Sequence, residues 1–302
     1  MAELLVVGSV ALDSVRTPFG KADDVLGGSA TFFSFAASFF TRVRLVAVVG
    51  ADFPRAHLDV LARRGIDLTG LQLSDGSTFR WAGEYGYDLN EAKTLETRLG
   101  VFADFRPTLP ESHRRTPFLF LANIDPELQL DVLRKVERPH LVVLDTMNFW
   151  IQGKRQALRR VLAEVDVLML NDAEARMLAE EPNLIKAARA ILGYGPRIVV
   201  IKRGEYGALM VNEGRFFFVP AFPLDSVFDP TGAGDSFAGG FMGTLARAGV
   251  VDEASLRRAI VYGSVMASFT VEDFSLSRLI RLTQHEIEAR YRTFLEMMRF
   301  EH

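Results

Sequence analysis

The sequence predicts an α/β protein of three layers, α/β/α, with a mostly parallel central sheet and a small β-sheet lid. Two observations carry this. Short apolar runs alternate with helical patterns along most of the chain, and those runs are almost unbroken by polar residues, as strands buried on both faces must be. A third observation adds the lid, because one segment switches to a period of two and carries aromatic residues on one face.

The strand-length runs are Leu4–Val7, Leu45–Val49, Phe118–Leu121, Leu141–Leu144, Val165–Leu170 and Ile198–Ile201. Helical patterns fall near 29–41, 54–64, 126–137, 153–163 and 172–193. That order implies a parallel sheet covered by helices on both sides. Ala208–Val211 and Phe216–Val219 read as an antiparallel hairpin around Asn212–Arg215. Helices near 233–248, 252–270 and 283–299 follow, the last with an apolar stripe at Ile287, Tyr291, Phe294, Leu295 and Met298. No repeat or low-complexity linker divides the 302 residues, so one domain spanning 1–302 is expected, with lid segments at about 13–26 and 78–102.

The exceptional segment runs from Thr78 to Phe102. Phe79, Trp81, Tyr85 and Tyr87 share one strand face, while Arg80, Glu84 and Asp88 lie on the other. On the partner strand Leu95, Thr97, Leu99 and Val101 oppose Thr94, Glu96, Arg98 and Gly100. A two-stranded ribbon is marginal alone and must cover something. It either packs on its own domain or forms a lid over the substrate that also meets its counterpart in a two-fold homodimer, and the family resemblance given below favours the lid.

Composition sets outer limits. At 49% apolar the chain can bury a large core. It has no cysteine, which excludes disulfides, thiolate metal sites and a cysteine nucleophile. A net charge of −3 argues against a nucleic-acid footprint. The longest uncharged apolar-rich stretch, Gly27 to Thr41, is short of the roughly 20 residues a membrane span needs. A cytoplasmic location is the default expectation.

The chemistry concentrates in Asp229-Pro230-Thr231-Gly232-Ala233-Gly234-Asp235-Ser236-Phe237-Ala238-Gly239-Gly240. Glycines ahead of a helix let backbone N–H groups converge, and the first helical turn adds partial positive charge. Gly232, Ala233 and Gly234 thus suit a phosphate or a developing anion, and Asp235 beside them is placed to receive a proton. Phosphoryl transfer to an alcohol uses that pairing. A carboxylate of ordinary pKa, about 4, is a weak base for the purpose.

Three further stretches end strands or open helices. Asn171-Asp172-Ala173-Glu174 opens a helix, and spacing alone assigns it as an N-cap with first-turn acids. Lys202-Arg203-Gly204-Glu205-Tyr206-Gly207 reads as a turn into the hairpin. Asp13 lies just past the first strand, and Gly27-Gly28 opens the helix at 29–41. Ligands of open α/β sheets bind at the carboxyl ends of strands, so both positions suit a site.

The twelve-residue run resembles the C-terminal signature of the ribokinase-like, or PfkB, carbohydrate kinases, D-T-T-G-A-G-D-x-F-x-G-G, departing at Pro230. The resemblance extends over the chain: an N-terminal Gly-Gly, a lid, N-x-x-E, a glycine loop, then G-A-G-D. It implies a ribokinase-like fold and an ATP- and Mg²⁺-dependent kinase acting on a hydroxyl of a small sugar or sugar-like polyol. It assigns Asn171 and Glu174 to Mg²⁺, and Gly204, Gly207, Lys202 and Thr231 to the nucleotide. It assigns Asp13, Gly27 and Gly28 to the acceptor, with Asn148 facing it from a loosely matched D-x-N element, and Asp235 to catalysis.

Departures shape the expected acceptor. Phe32 stands where the family's G-G-x-x-x-N has asparagine, and Ala11 stands where ribose-type enzymes favour another. Two sugar-facing amides are therefore absent, which points away from ribose itself. A nucleoside acceptor is the alternative, with Phe32, Phe33, Phe79 and Trp81 as stacking surface; a catalytically silent sugar- or nucleotide-binding regulator is the third reading. Asp229 and Thr231 match the first half of the family's monovalent-cation loop, whereas Thr270–Ser275 lacks its usual small pair, which leaves K⁺ dependence open.

Overall fold

The computed structural model describes residues 2–299 and contains two sheets. The chain opens with β1 (Leu4–Val7) and a hairpin of β2 (Ala11–Thr17) and β3 (Gly20–Gly27), followed by α1 (Ser29–Ala37). Next come β4 (Val43–Gly50), α2 (Arg55–Arg63), β5 (Asp67–Ser74) and a second hairpin, β6 (Arg80–Tyr85) with β7 (Ala92–Arg98). The middle comprises β8 (Phe118–Leu121), α3 (Pro126–Lys135), β9 (Leu141–Asp145), α4 (Asn148–Gly153) and α5 (Arg155–Leu162). It continues with β10 (Val167–Asn171), α6 (Asp172–Ala179), α7 (Leu184–Leu192) and β11 (Ile198–Lys202). The C-terminal part holds β12 (Ala208–Asn212), β13 (Arg215–Val219), α8 (Ala233–Ala248), α9 (Glu253–Thr270), α10 (Ser277–Arg281) and α11 (Gln284–Met297).

The large sheet has nine strands in the order β13-β12-β11-β10-β9-β8-β1-β4-β5. Every pairing from β11 to β5 is parallel, while β12 and β13 add an antiparallel edge. Unbroken apolar strands follow from burial on both faces. Leu4 and Val6 of β1 pack with Phe33 of α1, Phe237 and Phe241 of α8 and Val265 of α9. Leu5 and Val7 pack on the other side with Val132 of α3, Leu158 of α5, Leu178 of α6 and Ile191 of α7. The Gly239-Gly240 pair serves this packing. A Cβ at Gly239 would lie 2.4 Å from the Phe33 carbonyl oxygen, and one at Gly240 2.7 Å from that of Tyr262. These glycines let α8 sit between α1 and α9.

The structure departs from the expected elements where local signals compete. The helix expected over 172–193 is two helices, because Glu180 takes a left-handed φ of 55° and ends α6. Asn183 then caps α7, its side chain accepting from the Ile185 and Lys186 N–H groups. Strand β5 and helix α10 had no sequence expectation, since Asp67–Ser74 mixes polar and apolar residues without a clear period.

The second sheet runs β3-β2-β6-β7, joining the two hairpins through a parallel β2–β6 pair. Its register corrects the face assignment for β7. Ala82 lies opposite Glu96 and Gly83 opposite Thr94, so Leu95 is an extra residue in a bulge. Thr94 consequently moves to the Trp81 side, where the indole Nε1 donates to its Oγ1 at 3.2 Å. The aromatic strip is also divided rather than continuous. Phe79 stacks on Phe102, Tyr87 is 90% exposed, and Tyr85 turns into the cleft described next.

Candidate active site

Strand β1 lies between β4 and β8, the point where the sheet order reverses, and crevices form at the carboxyl ends beside such a switch. Asp145, Asn171 and Lys202 are the last residues of β9, β10 and β11, side by side on that edge. Lys202 Nζ donates to Asp145 Oδ2 at 2.7 Å, the two side chains being 17% and 5% exposed. Burial disfavours the ammonium, yet Asp145, Glu174 and Asp235 together hold its pKa above the ordinary value. Asn171 and Glu174 form a reciprocal capping box: the Asn171 N–H donates to Glu174 Oε2 at 2.7 Å and the Glu174 N–H to Asn171 Oδ1 at 2.8 Å. Burial, aided by the Asp145 charge, pushes Glu174 up to about 7, against the pull of Lys202.

Helix α8 points its N-terminus at the same place. Gly232 is its N-cap with φ 75°, and the Phe32 ring lies against its Cα, 2.3 Å from where a Cβ would be. A Cβ on Gly234 would sit 3.1 Å from Lys202 Nζ. The Ala233 N–H is spent in a turn to the Pro230 carbonyl at 3.2 Å, while Ser236 begins the helical ladder by donating to Gly232. The Gly234 and Asp235 N–H groups are left without an acceptor four residues back. Asp235 differs from the sequence expectation. Burial first, then the charge of Asp145, with Asp13 and Glu174 behind it, raises its pKa well above the ordinary carboxylate range despite Lys202.

The opposite wall is built by the small sheet. Asp13, 6% exposed, accepts the Gly28 N–H at 3.2 Å. A Cβ at Gly27 would fall 1.9 Å from Asp13 Oδ2, so glycine there is required by the carboxylate itself. Burial, together with Asp229, pushes Asp13 up to about 7. From β6, the Tyr85 hydroxyl lies 3.3 Å from Thr231 Oγ1, and burial pushes its phenol up to about 12 with Asp229, Asp13 and Asp235 nearby. Asp229 has both carboxylate oxygens engaged by backbone N–H groups, of Thr231 at 2.9 Å and Ser275 at 3.4 Å.

Most of the residues singled out in the sequence therefore converge: Asp13, Asn171, Glu174, Lys202, Thr231 and the Gly232–Asp235 turn. Gly204, with φ 52°, and Gly207, with φ 86°, flank a short turn after β11, where a Cβ at Gly207 would strike the Val219 carbonyl at 2.0 Å. Asn148 makes no hydrogen bond to the cluster. It is exposed at the start of α4, its Oδ1 accepting the N–H of Phe149. Phe32 and Phe33 are core, at 2% and 0% exposure, and offer no stacking surface. Asp145, at the head of the D-x-N-like element, and Tyr85, on the lid's aromatic face, had no individual role in the site assigned from sequence. A charged residue closing the apolar run Leu141–Leu144 was the available signal for the first.

The model of the pfkB family carbohydrate kinases matches residues 127–280. A cytidine kinase of Thermococcus kodakarensis is 31% identical over 258 residues, covering 84% of this chain and 92% of that protein. The chain belongs to the PfkB family. Its members are phosphotransferases that act on hydroxyl groups. The fold is likewise that of the nucleoside kinase of Methanocaldococcus jannaschii, with a TM-score of 0.78 at 20% identity over 97% of this chain and 99% of that one. A putative ribokinase II from E. coli, solved in complex with ATP and Mg²⁺, aligns with a TM-score of 0.73 at 18% identity over 98% of this chain and 100% of the other. Among the described residues no helix is long and apolar enough to cross a membrane.

Proposed function

We propose that this PfkB kinase transfers the γ-phosphoryl group of ATP to a hydroxyl of a nucleoside. The observation that carries the kinase reading is Asp235, a carboxylate of raised pKa at the N-terminus of α8, beside free helical N–H groups and the Lys202 ammonium. In this reading Asp235 accepts the proton of the acceptor alcohol, and its raised pKa makes it a better base than an ordinary aspartate. The N–H groups of Gly234 and Asp235, with Lys202 3.1 Å from the Cβ position of Gly234, stabilise negative charge on the transferring group. Asp145 holds Lys202 in that position.

The choice of acceptor rests on similarity to the cytidine kinase and on what the pocket lacks. Phe32 is packed on Gly232 and Ala11 is fully buried, so neither supplies a hydrogen bond to a sugar hydroxyl. Asp13 remains as the acceptor-side carboxylate. A nucleoside, which replaces one sugar hydroxyl with a base, asks for fewer hydrogen bonds than a free sugar and suits such a pocket better. The small sheet acts as the lid, since Tyr85 reaches Thr231 at the mouth of the anion turn.

Among the described residues no three His, Cys, Asp or Glu side chains cluster as a metal cage. Mg²⁺ nevertheless fits, because it keeps several waters and takes few protein ligands. Glu174 Oε1 is the oxygen its capping box leaves over, so Glu174, fixed by Asn171, would hold the ion through that oxygen or a water. Bound there, Mg²⁺ supplies charge neutralisation for the phosphates. Gly204 and Gly207 would admit the nucleotide. The unpaired edge strand β7, with Leu95 and Leu99 46% and 47% exposed in and just beyond it, supports a two-fold pairing of copies through the lid. Sedimentation as a monomer at micromolar concentration overturns that pairing.

Assaying ADP release with a panel of nucleosides, pentoses and hexoses tests the acceptor. Turnover with nucleosides at a kcat/KM at least tenfold above every free sugar is expected. Equal or better turnover of a free sugar overturns the nucleoside reading, and ADP release that no acceptor accelerates above the rate with water alone overturns the kinase reading.

A further inference from the structure

The tip of the β6–β7 hairpin does not stop at the acceptor pocket. It continues to the glycine turn after β11. Asn90 Oδ1 lies 1.8 Å from where a Cβ on Gly204 would be, so the amide rests directly on the Gly204 Cα. Asn90 is preset for this contact: its N–H and its Nδ2 both donate to Asp88 Oδ1, at 3.0 and 3.1 Å. Its Nδ2 also lies 3.4 Å from Glu205 Oε1, across the same turn. Five residues earlier on the hairpin, Tyr85 makes the contact with Thr231. One sheet therefore carries Asp13, the acceptor-side carboxylate, on β2 and rests on the glycine turn through Asn90 at the tip of its β6–β7 half.

We propose that Asn90 is a positioning residue on the nucleotide side, seating the lid tip on Gly204 so that nucleotide binding and lid closure are one event. This rests on Gly204–Gly207 being the nucleotide turn. The sheet cannot leave the acceptor without also leaving Gly204, so a nucleotide held at the turn favours the closed arrangement at Tyr85. A residue with a side chain at 204 meets Asn90 as well as a left-handed backbone, φ 52°.

A double-mutant cycle tests this by titrating the non-hydrolysable analogue AMP-PNP, with Mg²⁺, into the full-length protein by calorimetry. Asn90→Ala weakens binding several-fold, and Gly204→Ala weakens it at least tenfold. In Gly204→Ala/Asn90→Ala the alanine no longer meets the amide, so affinity returns to within about threefold of Asn90→Ala alone. Backbone strain at 204 is common to the single and double variants, and the cycle isolates the contact. In wild type, hydrogen exchange at residues 86–92 slows on adding AMP-PNP, and in Asn90→Ala that slowing is lost. Additive effects of the two substitutions, or unchanged exchange at the tip, overturn the assignment of Asn90 while leaving the nucleotide turn intact. Failure of the wild type to bind AMP-PNP overturns both.

Discussion

The floor and the roof of the cleft are built on opposite physical terms. The floor is made of the carboxyl ends of β9–β11 and the start of α8, where Asp145, Glu174, Lys202 and Asp235 share one buried neighbourhood of charge. Two hydrophobic clusters, one on each face of the large sheet, fix those ends rigidly. The roof is the four-stranded sheet: Leu12 of β2 and Leu26 of β3 join the core, whereas β7 is almost wholly exposed and the outer half reaches the rest of the molecule through few buried contacts. Thr17 bonds the Phe228 carbonyl, Tyr85 meets Thr231, and Arg80 pairs with Asp52. Elements held by few buried contacts open at low free-energy cost. On the proposed function, chemistry belongs to the floor, which has the packing to hold buried charge, and acceptor access to the roof, whose outer half is held less tightly.

If the floor carries the chemistry, Asp235→Asn should lower kcat by about 10²–10⁴-fold while calorimetric ATP binding stays nearly unchanged. Near wild-type turnover would remove Asp235 from the mechanism. Glu174→Gln comes next in size. Glutamine keeps an oxygen for the capping box and loses the charge, so the expected effect is roughly a tenfold rise in the Mg²⁺ concentration giving half-maximal rate, with the melting temperature not lowered. Loss of stability without a change in metal requirement would leave Glu174 as a helix cap alone.

The roof should respond more weakly and in a different parameter. Tyr85→Phe removes one hydrogen bond, worth about 1 kcal/mol, or about fivefold, and should appear in the acceptor KM rather than in kcat. An effect on kcat of the same size would place Tyr85 in the chemistry and blur the division. The smallest effect concerns Asp13, whose pKa is about 7 in the folded chain against an ordinary 3.8. Between those values the folded state retains a proton that the unfolded chain has released, so stability falls as pH rises from about 3.8 and the loss is complete above about 7. Asp13→Asn should therefore raise the melting temperature by roughly 2–4 °C at pH 8, by less at pH 5, and little near pH 4. A shift of the same size at all three pH values would show that the Asp13 charge is not the destabilising feature.

The sequence by itself determined the α/β class, the six buried strands it named and the order of the motifs, because apolar periodicity, glycine turns and caps are encoded over a few neighbouring residues. It also located Asp13, Asn171, Glu174, Lys202 and the Gly232–Asp235 turn. Local signals misled where two of them compete within one segment: the left-handed Glu180 and the Asn183 cap divide a periodicity that reads as one helix. The Leu95 bulge likewise inverts half of a correctly identified strand. Only the tertiary structure decided that Lys202 is paired to Asp145, 57 residues away, and that Tyr85 meets Thr231, 146 residues away. It alone turned Asp235 from an ordinary acid into one of raised pKa. A proton's affinity depends on burial and on every charge within several ångströms, and parallel crossovers bring those charges together from segments that share no local pattern.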